Sequence, residues 1–245
     1  RELSAQIKNM PKVTTITFDL DNTLWDIDTV ISSAEIKTQE WLCNQENNLD
    51  GLFEQKNSLP IREKLIAETP DLENNLTQLR KDFLYAAIIQ RGYKPNKAKQ
   101  LASSAFKIFY EERHNVTFFE GALEILEQLR NEFTLGALTN GNANYQKLGL
   151  SKYFSFGLSA ADVNAAKPDA AMFLAGLQRA KANPDQAIHV GDNLVDDIWG
   201  ANQVGIRTIW VNFNNSPRSN QDTVPNATVL NLWDIPRAIH ELSAL

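Results

Sequence analysis

After Phe118 the chain alternates between short apolar runs and amphipathic stretches, a pattern few folds accommodate. Residues 133–138, 154–159, 187–190, 207–211 and 227–230 read as strands, too short and too continuously apolar for helices. Before, between and after them, 121–131, 143–148, 170–182, 194–204 and 235–242 carry apolar residues at helical spacing. Strand–helix alternation of this kind builds a parallel sheet covered on both faces, an α/β fold. Residues 13–18 are a further strand of that sheet, but the stretch from Thr29 to Asn115 that follows holds only helix-like patterns. Its helices are expected over 34–42, 61–68, 72–91 and 97–112, with breaks at Pro60, Pro70 and Gly92-Tyr93-Lys94-Pro95. The expected organisation is an α/β core over 1–27 and 117–245, with an all-α domain, 28–116, inserted after the first strand. Residues 212–226, rich in Asn, Ser and Pro, form the one long irregular loop.

Composition narrows the function classes. With 24 basic against 30 acidic residues, net charge −6, and no Lys/Arg block, broad nucleic-acid or anionic-membrane binding is not expected. No apolar run approaches the roughly 20 residues that span a bilayer. Residues 1–6 lack the apolar core of a secretion signal and an initiator Met, so the natural start is expected upstream and the location cytoplasmic. Cys43 is the sole cysteine, which excludes an internal disulfide or a Cys-based zinc cluster, and a packed thiol is expected there. His189 lies inside a strand and reads as a hydrogen-bonded core histidine.

In open α/β sheets ligands bind beyond the carboxyl ends of the strands. At that edge the sequence places Asp19-Leu20-Asp21-Asn22-Thr23, then Thr139-Asn140-Gly141-Asn142, then Lys167-Pro168-Asp169, then Gly191-Asp192-Asn193 with Asp196-Asp197. Side chains at i and i+2 of an extended backbone share a face, so Asp19 and Asp21 are expected to point into one pocket. Each piece alone also fits a turn or a helix cap. Together they suit phosphoryl transfer. Asp19 and Asp192 offer hard oxygen ligands for Mg²⁺. Thr139 and the backbone N–H groups near Asn140 and Gly141 suit phosphoryl oxygens, and Lys167 offsets the charge on them. A carboxylate such as Asp19 can attack phosphorus, while Asp21 serves as general acid and base.

This ordered set resembles the haloacid dehalogenase superfamily. The resemblance implies a Rossmann-like core with a helical cap, an aspartyl nucleophile and Mg²⁺. It implies that Asp19 is the nucleophile and Asp21 the acid/base, with the backbone carbonyl of Asp21 also on the metal. Thr139, Asn140 and Lys167 then bind phosphate, and Asp192 is a metal ligand. Asp196 and Asp197 match the acidic end of the last motif, and which of them supports the metal or the lysine stays open. Dehalogenases of the superfamily lack the second Asp of the first motif, so Asp21 points to a phosphatase.

More narrowly, residues 18–26, 138–143 and 189–193 resemble a bacterial branch of phosphatases. Those act on flavin mononucleotide (FMN) and on 5-amino-6-(5-phospho-D-ribitylamino)uracil of riboflavin biosynthesis. The implied partner is a small phosphate ester, handled by a monomer or, alternatively, a homodimer. Specificity is expected in the insertion, with Trp25 and Asn142 as candidate substrate contacts; most other aromatics there are expected to fill its core. The alternatives are a sugar-phosphate phosphatase or phosphomutase of the same superfamily, an Asp-phosphorylated signalling receiver, and a non-catalytic phosphate-binding protein. A receiver would be shorter and would carry its acidic residues in a different order.

Overall fold

Six parallel strands form one sheet: β1 (Thr15–Phe18), β2 (Thr134–Thr139), β3 (Phe156–Ser159), β4 (Ala187–Gly191), β5 (Arg207–Val211) and β6 (Ala227–Val229). The computed structural model describes residues 12–218 and 222–244; the N-terminal residues read above for a secretion signal lie outside the described residues. Strand order is β3-β2-β1-β4-β5-β6. The chain thus steps outward from β1 to β3, then crosses to β4 and steps outward the other way. The switch point lies between β1 and β4, where such sheets open a crevice at their carboxyl ends. Both flanking strands are buried along their whole length, as strands covered on two faces must be. The α/β architecture is therefore the expected one. In β2 the Phe156 ring lies over Gly136, where any Cβ would sit 2.2 Å from it.

The chain divides into two compact units. One comprises residues up to Asp26, Thr117–Asn140 and residues from Tyr145 onward; the other comprises Ile27–Val116 and Gly141–Asn144. The second unit is built from helices Ile27–Gln45, Gln55–Glu68, Leu76–Gln90 and Pro95–Glu112. Leu42, Phe83, Leu84, Ile88, Leu101 and Ala105 lie at its centre. Two of its arginines are committed internally. Buried Arg80 donates to Glu35 at 2.6 Å and lies 4.1 Å over the Phe109 ring. Arg91 donates to the carbonyls of Asp50 and Asn48 at 2.8 and 3.3 Å.

Several expectations need correction. Pro60 does not break a helix but lies inside Gln55–Glu68; its missing N–H forgoes only the bond to the Lys56 carbonyl, near the helix start. The helix expected over 72–91 starts at Leu76, because Asn75 caps it by accepting from the Gln78 N–H at 3.0 Å, after a 3₁₀ turn at Pro70–Asn74. Residues 143–144 are irregular and 145–148 are turns. So short a stretch cannot nucleate a helix unaided, and the Asn144 N–H donates to His114 Nε2 instead. Cys43 is exposed, not packed, since it falls off the buried stripe Val30, Ala34, Thr38 and Leu42.

Candidate active site

Asp19 follows β1 directly, and its backbone N–H donates to Val190 O at 2.9 Å, fixing it beside β4 at the switch point. The chain then leaves extended geometry. Leu24 N–H donates to Leu20 O at 2.9 Å, and Asn22 takes φ 62°, a left-handed value that Asn tolerates. This turn carries the buried Thr23 hydroxyl to 3.1 Å from Asp19 Oδ2 and 3.3 Å from Asp192 Oδ1. The strand argument for a face shared by Asp19 and Asp21 ends at Leu20. The Asp21 carboxylate accepts from Trp25 Nε1 at 2.9 Å. Trp25 itself is fully buried, with its ring edge-on to Phe118 at 5.7 Å. The indole is thus an internal donor to Asp21.

Lys167 is buried, and its Nζ lies 2.6 Å from both Asp19 Oδ1 and Asp197 Oδ1. Its backbone is clamped by Asn140, whose amide accepts from Lys167 N–H at 2.7 Å and donates to Lys167 O at 2.8 Å. The Asn140 side chain is thus occupied in positioning the lysine. Asp197 arrives through a widened π-type turn, Leu194–Trp199, which Asn193 caps. Its carboxylate packs on Gly191, where a Cβ would sit 2.3 Å from it, so only glycine fits. Its Oδ2 accepts from Asn193 N–H at 3.0 Å, and its Oδ1 from His189 Nε2 at 3.1 Å. Asp196, half-buried, lies 3.4 Å from the Asn140 amide. Trp210 was missed in the sequence, yet its indole N–H anchors Asp192 O at 2.8 Å; a Trp in a buried strand gives no sign of that. In the helical unit, Asn142 accepts from Arg113 Nε at 3.1 Å and lies 3.4 Å from the Thr77 hydroxyl.

Residues 13–205 match the sequence pattern of the haloacid dehalogenase-like hydrolases. The chain belongs to that family. It is 28% identical over 200 residues to the 5-amino-6-(5-phospho-D-ribitylamino)uracil phosphatase YigB of Escherichia coli K12, covering 82% of this chain and 84% of YigB. Over 130 residues it is 32% identical to the phosphoserine phosphatase of Thermus thermophilus, about half of each chain. A solved structure described as a 2-haloacid dehalogenase from Pseudomonas syringae pv. Tomato DC3000 is 40% identical, with a TM-score of 0.89 over 94% of this chain and 99% of that one.

This haloacid dehalogenase-like site gathers more negative charge than its own residues balance. Burial pushes Asp19 well above the usual carboxylate range; Lys167 opposes this, while Asp197 and Asp192 add to it. Burial likewise pushes Asp192 up to about 7, helped by Asp197. For Lys167, burial disfavours the ammonium, but Asp19 and Asp197 outweigh it and raise the pKa above the ordinary lysine value. Burial also works against ionised Asp197, yet Lys167 and His189 hold it below the usual range. Burial keeps His189 neutral by lowering its pKa.

Oxygens of Asp19, Asp192 and Asp197 lie within 4.8 Å of one another. One ammonium among three carboxylates leaves an excess that a hard divalent cation fits. Asp197 is the most fully engaged of the three, accepting from Lys167, His189 and the Asn193 N–H, whereas Asp19 accepts from Lys167 and Thr23, and Asp192 Oδ1 from Thr23.

Proposed function

We propose that the protein is a phosphatase that cleaves small phosphate monoesters through an aspartyl-phosphate on Asp19. The observation that carries this reading is Lys167 Nζ, 2.6 Å from the Asp19 carboxylate at the switch point of the sheet. An ammonium there favours the anionic nucleophile against the burial that opposes it, and faces an incoming phosphoryl group. A carboxylate oxygen of Asp19 attacks phosphorus, and the bond from phosphorus to the ester oxygen breaks. Asp21 gives its proton to that oxygen as it leaves. The same carboxylate then takes a proton from water attacking the aspartyl-phosphate; the Asp19–phosphorus bond breaks, inorganic phosphate departs and Asp21 is again protonated. The Thr139 hydroxyl and Asn140 N–H hold phosphoryl oxygens, and Lys167 offsets their charge. Asp19, Asp192 and the Asp21 backbone carbonyl would hold Mg²⁺, which would supply further positive charge. Asp197 serves Lys167, and Asp196 stands outside it against Asn140.

The helical unit is read as the cap that selects the substrate, a phosphate ester carrying a heterocycle. FMN and 5-amino-6-(5-phospho-D-ribitylamino)uracil are the first candidates, the second because YigB is named for it. The enzyme is taken to work in the cytoplasm as a monomer; no described helix is long and apolar enough to cross a membrane.

One observation favours a second reading, haloacid dehalogenation: the 40% identical structure is described as a dehalogenase. Asp21 weighs against it, since a departing halide needs no proton. The deciding experiment is a panel of metabolite phosphates with Mg²⁺, run beside 2-chloropropionate, with Asp19→Asn as control. Phosphate release that vanishes in Asp19→Asn and on chelation is the expected result. Halide release without phosphate release, or equal turnover by wild type and Asp19→Asn, would overturn it.

A further inference from the structure

One buried group has no part in that mechanism, although it reaches into the site. His189, on β4, is fully buried and stands opposite Thr17 of β1 in the parallel register. Its Nδ1 lies 2.8 Å from the Thr17 hydroxyl and its Nε2 3.1 Å from Asp197 Oδ1. The Phe173 ring closes its flank edge-on at 5.2 Å. A carboxylate only accepts, so Nε2 carries the proton, and Nδ1 in the neutral ring accepts from the Thr17 hydroxyl. A single line of hydrogen bonds therefore runs from Thr17 through His189 and Asp197 to Lys167 Nζ, and on to Asp19.

We propose that His189, oriented by Thr17, is a positioning residue for Lys167, acting through the Asp197 carboxylate. The proposal rests on the phosphatase reading above. Asp197 Oδ1 is shared by two donors, and its Oδ2 is held by the Asn193 backbone. Removing the imidazole takes away one of the three hydrogen bonds that orient that carboxylate and loosens its hold on Lys167. The ammonium then settles onto Asp19, where it shields the nucleophile and is lost to the phosphoryl oxygens. Outer partners that fix a ligand's orientation in this way typically matter by about 10–100-fold.

The test uses p-nitrophenyl phosphate with Mg²⁺, measuring kcat, KM and thermal unfolding together. His189→Leu removes both ring nitrogens and is expected to lower kcat about tenfold, with KM changed less than about threefold. His189→Gln places an amide N–H as many bonds from Cα as Nε2 and is expected to restore kcat to within about threefold of wild type. Thr17→Val keeps the imidazole but frees its far end, for a loss of about threefold, and covers the case in which His189→Leu does not fold. The proposal is overturned if folded His189→Leu keeps wild-type kcat. It is equally overturned if His189→Gln is as slow as His189→Leu, or if Thr17→Val leaves kcat unchanged where His189→Leu is unfolded. Absence of any Asp19-dependent turnover in the wild type would instead defeat the phosphatase reading, and this inference with it.

Discussion

In the helical unit the buried guanidinium of Arg80 meets one carboxylate, Glu35, at 2.6 Å. In the α/β unit the buried ammonium of Lys167 is shared at 2.6 Å by Asp19 and Asp197, with Asp192 close by. The first arrangement is self-compensating and rests its cation on the face of Phe109. The second leaves negative charge in a place where water cannot screen it. Excess buried charge is costly to a fold unless something binds to it, so the imbalance marks where chemistry occurs. A buried charged residue with one well-placed partner marks only architecture.

Replacing the two cations should separate these roles most sharply. Lys167→Met removes the charge that the proposed mechanism sets against the phosphoryl group and is expected to lower kcat by about 100- to 1,000-fold. It also strands two buried carboxylates, destabilising the fold by about 3 kcal/mol at neutral pH. Arg80→Leu is expected to cost about 2 kcal/mol in chemical unfolding, because the half-buried Glu35 can partly rehydrate, while kcat stays within about twofold. Turnover lost in Arg80→Leu with unfolding unchanged would reverse the assignment of the two units.

The imbalance also predicts a pH-dependent response to cation. Asp192, pushed up to about 7 by burial, holds its proton more tightly in the folded chain than in the unfolded one. Its contribution therefore favours the fold at low pH and is lost as pH rises from about 4 through about 7, by roughly 4 kcal/mol at most in cation-free protein. A cation at ten times its dissociation constant restores about 1.4 kcal/mol. Mg²⁺ should thus raise Tm by several degrees at pH 8 and hardly at all at pH 5, measured by thermal denaturation with and without chelator. An equal rise at both pH values would mean that the ion binds elsewhere.

The sequence was readable to different depths in the two regions for a physical reason. The strands and the loops at their carboxyl ends were visible because a buried parallel strand is mostly apolar, while its loop concentrates the polar groups. Which acidic residue met Lys167 was not visible, because Asp196 and Asp197 differ only in how the π-type turn points them. His189 read correctly as a bonded core histidine, but its partner Asp197 lies across that turn. In the helical region the periodicity located four helices and the ends at Glu68 and Glu112, but misplaced every start. Capping by Asn75 and the tolerance of Pro60 depend on single side-chain and backbone bonds, which an apolar period does not register. The bond of Trp25 to Asp21 was not visible for a similar cause: an aromatic residue near an acidic loop fits a ligand contact and an internal donor equally well in sequence.

Trp25 therefore supplies the finest test of the comparison, since it is architecture placed directly against chemistry. Its indole N–H holds Asp21 Oδ1 at 2.9 Å while its ring packs on Phe118. Trp25→Phe keeps an aromatic ring and deletes the donor, a loss of about 1 kcal/mol, or about fivefold in rate if the bond matters to the reaction. In the proposed mechanism Asp21 protonates a leaving alkoxide, whereas p-nitrophenolate departs without a proton. The substitution should therefore slow an alkyl phosphate about fivefold and p-nitrophenyl phosphate less than about twofold. Equal slowing of both substrates, accompanied by a fall in Tm, would place Trp25 wholly with the architecture, alongside Arg80.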